Sequence, residues 1–135
     1  MWRKYWLVDP LDGTEEFVRH GKDFTVNIAL IGNGRPFFGI VYVPVTRVAY
    51  MGGLGLAAFK CEHGKCAAIS SRRMAKALTA GTAIDVVVSM HHEDSATNQL
   101  IAELRRQYVL TSLSKISSSL KFFYWPMAVQ IYIHD

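Results

Sequence analysis

The order of secondary-structure signals along the chain is the strongest constraint on its fold. Residues 5–69 carry short β-prone apolar runs separated by glycine, asparagine and proline turns, which predicts a mostly antiparallel sheet. The pattern then changes to an apolar strand at residues 83–89, a helix from about residue 95 and a strand at residues 108–113. We therefore predict an α/β protein, with the antiparallel sheet first and a strand–helix–strand unit second.

A polar, basic stretch from Ser70 to Thr82 is predicted to connect these two portions. The predicted division gives residues 1–80 to an N-terminal sheet portion and residues 81–135 to a C-terminal α/β portion. Half of the 135 residues are hydrophobic and 19% are charged, which excludes a disordered or low-complexity chain.

Net charge and hydropathy limit the kinds of partner that we expect for the chain. The net charge is +4, but the basic residues are scattered, and the densest group is the short cluster Arg72, Arg73 and Lys76. We therefore expect a small anionic substrate and no nucleic-acid partner. No apolar run reaches the ~18 residues of a membrane span, and residues 1–9 lack the apolar block of a signal peptide, so a cytoplasmic protein is expected.

The two cysteines, Cys61 and Cys66, flank a predicted turn at His63 and Gly64. One pair cannot build a disulfide framework, and the second pair of a zinc ribbon is missing. Since cytoplasmic cysteines are normally kept reduced, both are expected to be thiols.

Two carboxylates, Asp9 and Asp12, stand three residues apart between a predicted strand and a short helix starting at Gly13. Magnesium prefers oxygen ligands and is often held by one or two carboxylates, so both aspartates could face one metal site. A helix N-terminus there would favour a phosphate group. The spacing is equally typical of turn chemistry, with Asp12 as a helix cap, and both interpretations stay open at this point.

A resemblance to a known family adds to this pattern. The run Lys4–Thr14, which reads KYWLVDPLDGT, is similar to the inositol monophosphatase superfamily. The similarity continues through Phe24–Ile31, Gly39–Val45 and Ser118–Phe122. The pair Glu16–Phe17 favours the 3′(2′),5′-bisphosphate nucleotidase branch. The resemblance implies a layered α-β-α-β-α sandwich like that of the sugar phosphatases.

The resemblance also implies a magnesium-dependent phosphomonoester hydrolase of sulfur metabolism, which converts adenosine 3′,5′-bisphosphate to AMP and phosphate. By that resemblance, Asp9 would bridge two or more Mg²⁺ ions, the Leu11 carbonyl would bind the first and Asp12 the second. Thr14 would orient the attacking water, and the backbone amides of Gly13 and Thr14 would hold the phosphate.

Substrate contacts are implied by two further stretches. Ser118, Ser119 and Lys121 match the serine-rich turn that contacts the nucleotide in the family. The family's Ser-Arg-Ser-His appears here as Ser89–His92, in which only Ser89 and His92 match. Met90 in place of the arginine leaves the nucleotide preference open, and a surface histidine pair with no role is the alternative.

The family comparison also leads us to expect a fragment. The relatives carry an upstream Glu-Glu segment and a downstream Trp-Asp motif that complete their metal sites, and neither occurs here. Residues 123–129 depart from the family pattern in a way that a frameshift would produce. An inositol or sugar monophosphatase is the alternative within the class. The alternative of another class is an inactive fragment that binds a phosphate ligand or a partner chain.

Overall fold

The fold comes from a computed structural model, which describes residues 3–70, 83–89, 95–117, 119–123 and 129–133. By their internal contacts they form two units. One unit contains residues 3–70 and 119–123, and the other contains residues 83–89, 95–117 and 129–133. The chain is a mixed α/β protein with few helices, as the sequence predicts.

The first unit is a six-stranded antiparallel meander in which each strand pairs with the next along the chain. The elements are β1 (Lys4–Asp12), α1 (Thr14–Val18), β2 (Thr25–Gly32), β3 (Arg35–Val43), β4 (Val48–Gly53), β5 (Ala58–Glu62), β6 (Lys65–Ile69) and a 3₁₀ helix (Ser119–Phe122). Val43 and Thr25 are its most deeply buried side chains.

Two-residue turns set the register of two hairpins in this sheet. Asn33 and Gly34 join β2 to β3, and His63 and Gly64 join β5 to β6. All four residues have positive φ, between 50° and 76°. A turn with two positive φ values matches the twist of antiparallel strands, which is why Asn-Gly and similar pairs favour it.

The expectation of two reduced cysteines is wrong, since Cys61 and Cys66 form a disulfide. The turn at His63–Gly64 places the two cysteines directly opposite each other on β5 and β6, with their Cα atoms 4.0 Å apart. Such proximity follows from hairpin register, because residues opposite each other in a non-hydrogen-bonded pair approach most closely.

β4 runs further than its apolar run suggests, because Gly52 and Gly53 continue the strand instead of forming a flexible connector. A Cβ atom on Gly53 would lie 2.5 Å from the Phe37 carbonyl oxygen, which accepts a hydrogen bond from the Leu54 N–H at 2.9 Å. Glycine is therefore required for the close approach of two backbones, and the turn is displaced to Leu54 and Gly55.

The second unit is a parallel three-stranded sheet with a helical crossover. β7 (Ala83–Ser89) lies between β8 (Val109–Ile116) and β9 (Val129–Ile133) and pairs in parallel with both. α2 (Ser95–Gln107) connects β7 to β8, as parallel strands require. The core of this unit combines the centre of β7 with one face of α2, and its buried apolar residues are Val86, Val87, Val88, Ile101, Leu104 and Ile116.

Several sequence predictions concern residues outside the described ranges. Most of the predicted connector, residues 71–82, lies there, and so do His92 and most of the segment assigned to a frameshift. The division at residues 80/81 stays a prediction. Among the described helices the longest, α2, has 13 residues, and none is long and apolar enough to cross a membrane.

Gly53 offers a direct test of the close approach between β3 and β4. We expect Gly53→Ala to lower the free energy of unfolding by about 1–3 kcal/mol, because the new methyl group meets a backbone carbonyl that cannot move aside. Gly52→Ala is the matched control, since its Cβ would lie 3.5 Å from the nearest atom of Ala58. We expect that control to stay within about 0.5 kcal/mol of the wild type. Urea unfolding followed by circular dichroism measures both, and equal midpoints for the two variants would contradict the assignment.

Candidate active site

A β-bulge at the end of β1 places the two predicted carboxylates on one face of the sheet. Asp9 lies opposite Asn27 and Asp12 lies opposite Thr25, so β1 uses three residues where β2 uses two. Side chains alternate between faces along a strand, and an odd spacing would normally separate them. The extra residue of the bulge cancels that alternation. Asp9 and Asp12 therefore share the face that carries Thr25 and Asn27.

Gly13 ends β1 and starts α1 in a conformation that favours glycine. Its φ and ψ are 85° and 42°, in the left-handed region. The Phe17 N–H donates to the Gly13 carbonyl at 3.0 Å, which closes the first turn of α1. The first backbone amides of a helix have no partner within it and can serve an anion. The Thr14 side chain is exposed at this first turn.

Asp12 is the best-connected carboxylate of the site. Its Oδ2 atom accepts a hydrogen bond from the Ser119 backbone N–H at 2.5 Å, and the Thr25 hydroxyl lies 3.3 Å from the same oxygen. Asn27 extends the network, because its Nδ2 donates to the Ser119 Oγ at 2.9 Å and its Oδ1 lies 3.1 Å from the Thr25 hydroxyl. The 3₁₀ helix is thereby held against the ends of β1 and β2.

These hydrogen bonds keep Asp12 ionised. Partial burial by itself raises the pKa of this carboxyl, and the hydrogen bonds from the Ser119 side chain and backbone, from Asn27 and from Thr25 outweigh that effect. The pKa of Asp12 therefore lies below its ordinary value. A carboxylate with a lowered pKa is negatively charged at neutral pH and can face a cation.

The other predicted residues of this segment lie around Asp12. Asp9 is exposed, and its Oδ1 accepts a hydrogen bond from the Leu11 N–H at 3.3 Å. Leu11 is half-buried within the bulge. The structure thus brings Asp9, Leu11, Asp12 and Gly13 together in one short loop, and Ser119 joins them from a distant part of the sequence.

The structure describes the remaining predicted substrate contacts less fully than the residues around Asp12. Ser118 and the segment around Met90 and His92 lie outside the described residues. The backbone of Lys121 belongs to the 3₁₀ helix. These assignments stay predictions.

Sequence reasoning missed Thr25 and Asn27 as site residues. Both are polar side chains two positions apart at the start of an otherwise apolar strand, and Thr25 is fully buried. A buried polar side chain needs a partner, so polar residues at a period of two in such a strand are a signal for a network. That signal was present in the sequence.

A concave apolar surface of about 540 Å³ adjoins the polar site, within the same unit. Asp9, Asn27 and Ser119 border it, and Tyr50 stacks on Phe123 at its side with ring centroids 4.7 Å apart. Small residues line it on four adjacent strands, namely Ala29, Gly39, Gly52 and Ala58, and leave room above the sheet.

The oxygen atoms available at the end of β1 are of the chemical type that magnesium prefers as ligands. Asp9 and Asp12 supply carboxylate oxygens on one face, and the bulge between them supplies the Leu11 carbonyl. Magnesium is commonly held by one or two carboxylates together with water and substrate phosphate, so these groups suit a partial site. Within the described residues, no cluster of three or more His, Cys, Asp or Glu side chains is close enough to hold a metal by itself.

Three features together identify the class of protein: the antiparallel sheet, the bulged Asp-Pro-Leu-Asp-Gly-Thr segment, and the parallel α/β unit. Residues 3–125 match the model of the inositol monophosphatase family, and the chain belongs to this family. It is 41% identical over 121 residues to the 3′(2′),5′-bisphosphate nucleotidase CysQ of Escherichia coli K12. That alignment covers 90% of this chain and 44% of the relative, so the chain spans less than half of the relative's length.

Solved structures agree with this assignment. CysQ from Bacteroides thetaiotaomicron, a bacterial member of the inositol monophosphatase family, is 31% identical and superposes with a TM-score of 0.69 over 90% of this chain and 48% of that one. Thermotoga maritima IMPase has the same TM-score at 22% identity, over 92% of this chain and 44% of that one, and supports the fold alone.

The lowered pKa of Asp12 predicts a pH-dependent contribution to stability. Because the folded-state pKa lies below the unfolded value, the contribution is fully present above the unfolded pKa and is lost as pH falls through the folded one. We expect Asp12→Asn to cost about 1–2 kcal/mol of unfolding free energy near pH 7 and progressively less below about pH 4. Urea unfolding in the presence of a metal chelator, repeated across this pH range, measures the difference.

Asp9→Asn is the control for that experiment, because Asp9 is an exposed carboxylate on the same strand. We expect it to change stability by less than about 0.5 kcal/mol. A penalty for Asp12→Asn that stays constant from acid to neutral pH would contradict the role of the ionised carboxylate.

Proposed function

We propose that this chain carries part of the active site of a magnesium-dependent phosphomonoester hydrolase. The observation that carries the proposal is the bulged end of β1, where Asp9 and Asp12 share one face and Asp12 is held ionised by Ser119, Asn27 and Thr25. A fixed, charged oxygen pair next to a helix start is suited to a metal ion and a phosphate group together.

Asp9, the Leu11 carbonyl and Asp12 would hold the metal in this proposal. Bound Mg²⁺ supplies Lewis-acid stabilisation of the phosphoryl oxygens and lowers the pKa of a coordinated water. The chain contributes by holding the metal-binding oxygens in fixed positions. The Ser119 N–H and the Thr25 hydroxyl fix the Asp12 carboxylate through Oδ2, and in this proposal Oδ1 is the oxygen that would face the cation.

The start of α1 is the proposed phosphate contact. The left-handed Gly13 lets the chain turn from strand to helix within one residue, so the amides of Gly13 and Thr14 follow Asp12 directly. The exposed Thr14 hydroxyl can exchange hydrogen bonds with a water molecule at the same place. These groups would orient the attacking water and the phosphate, and orientation is a large part of phosphoryl-transfer catalysis.

Adenosine 3′,5′-bisphosphate is the proposed substrate, with AMP and phosphate as products. The support is the 41% identity to a 3′(2′),5′-bisphosphate nucleotidase across 90% of the chain. Ser118, Ser119 and Lys121 are the proposed nucleotide contacts. A cytoplasmic location and a role in sulfur metabolism belong to the same proposal.

Phosphate release by the purified chain tests the proposal. With Mg²⁺ present, we expect release from adenosine 3′,5′-bisphosphate to exceed release from inositol 1-phosphate. Asp12→Asn is expected to lower that activity at least about a hundredfold, because it removes a charged ligand of the metal. Glu15→Gln is the matched control, since Glu15 is an exposed carboxylate of α1 that pairs with Arg19.

A second measurement separates binding from catalysis. If the site holds Mg²⁺, added Mg²⁺ raises the thermal midpoint of the wild type and of Glu15→Gln but not that of Asp12→Asn. Faster release from inositol 1-phosphate would favour a monophosphatase. The absence of both phosphate release and a Mg²⁺-dependent shift would support the inactive fragment and overturn the proposal.

A further inference from the structure

Asn27 occupies a fixed position in the middle of three paired strands. It lies opposite Asp9 on β1 and opposite Val41 on β3, so its backbone is paired on both sides. Its side chain is half-buried and shares a face of the sheet with Thr25, two positions earlier in β2. The backbone beneath this side chain cannot shift without disturbing two neighbouring strands. Asn27 is therefore a rigid point to which a less constrained segment can be anchored.

Both ends of the Asn27 amide group are engaged. Its Nδ2 donates to the Ser119 Oγ at 2.9 Å, and its Oδ1 lies 3.1 Å from the hydroxyl of Thr25. Thr25 is fully buried, and a buried hydroxyl requires partners of this kind. A primary amide offers a donor and an acceptor in one rigid plane, whereas a carboxylate offers acceptors alone and a hydrocarbon side chain offers neither. The position therefore uses the particular chemistry of asparagine.

Ser119 is held at two of its atoms from two different strands. Its backbone N–H donates to Asp12 on β1, and its hydroxyl oxygen accepts from Asn27 on β2. The Ser119 side chain also hydrogen-bonds Asp12. A serine hydroxyl has a single proton, and the donor from Asn27 leaves that proton for the carboxylate. Asn27 thus sets the direction in which the Ser119 hydroxyl points, across 92 positions of sequence.

We propose that Asn27 is a positioning residue for nucleotide binding and that it acts through Ser119. The inference rests on the proposed function, in which Ser119 and Lys121 of the 3₁₀ helix contact the nucleotide. Asp12 and Asn27 both hold the start of this helix. Asp12 also belongs to the proposed metal site, whereas Asn27 holds Ser119 without being a proposed ligand of the metal. The role of Asn27 is therefore confined to the nucleotide side of the site.

Removal of the Asn27 amide deletes the contact to the Ser119 hydroxyl and leaves the backbone contact to Asp12. The 3₁₀ helix then opens more readily, and a nucleotide has to order it on binding, which lowers the affinity. The proposed metal ligands and the start of α1 are unchanged, so turnover of bound substrate is retained. We therefore expect Asn27 variants to raise KM and to leave kcat nearly unchanged.

Amide hydrogen exchange tests the anchoring step in the full chain, with a chelator present and no nucleotide. Asn27→Ala removes the amide, and Asn27→Leu removes it while keeping a side chain of similar size. We expect either variant to raise exchange at residues 119–123 about tenfold, because one hydrogen bond that holds them is lost. Asn98→Ala is the matched control, since Asn98 is exposed on α2, and exchange at residues 119–123 should stay at the wild-type rate. Wild-type exchange in both Asn27 variants would contradict the proposal.

Affinity for AMP tests the functional step. Calorimetric titration is expected to give a Kd for AMP about tenfold higher for Asn27→Ala and Asn27→Leu than for the wild type and Asn98→Ala. Ser119→Ala should also weaken AMP binding, and adding Asn27→Ala to it should have little further effect, since Asn27 acts through the Ser119 hydroxyl. With adenosine 3′,5′-bisphosphate as substrate, KM should rise by the same factor and kcat should stay within about twofold.

These measurements separate the inference from the function on which it rests. A wild type that binds AMP and shows the expected exchange but releases no phosphate would overturn the proposed hydrolase and leave the role of Asn27 intact. Three results would overturn that role: equal AMP affinity in all variants, additive effects of Asn27→Ala and Ser119→Ala, or no AMP binding by the wild type. A lower kcat with an unchanged KM would overturn it as well.

Discussion

The contact between the Ser119 backbone N–H and the Asp12 carboxylate holds the site together. It joins residues 107 positions apart in the sequence and connects the 3₁₀ helix to the ends of β1 and β2. Thr25 and Asn27 belong to the same network, so the charge of Asp12, the placement of Ser119 and the buried polar start of β2 depend on one another. Networks of this kind are stabilising only when every member is satisfied. In the described residues no buried side-chain nitrogen or oxygen lacks a partner.

The bulge in β1 is the second constraint on the site. It divides the nine-residue strand into a part that pairs regularly with β2 and a part that carries Asp12. Up to Asp9 the strand keeps a regular ladder with β2, and after it the chain gains the extra residue that brings Asp12 onto the face of Asp9. Pro10 lies within the bulge, between Asp9 and Asp12. Its fixed φ limits the backbone conformations available to the bulge.

The sequence predicted the antiparallel sheet of the first unit and the strand–helix–strand order of the second, because alternating apolar residues and turn glycines act locally. It also assigned Asp9, Asp12, Gly13 and Ser119 to one site, and the structure brings these residues near one another, while their roles stay predictions. It failed where distant partners decide the outcome. Gly53 is a strand residue where another backbone approaches closely. The disulfide was missed for a different reason, since Cys61 and Cys66 lie opposite each other in one local hairpin and reduced thiols were expected from the cytoplasmic location. Thr25 and Asn27 stand out in the sequence as polar residues at a period of two, but the partner of Asn27, Ser119, lies 92 positions away and no local pattern identifies it.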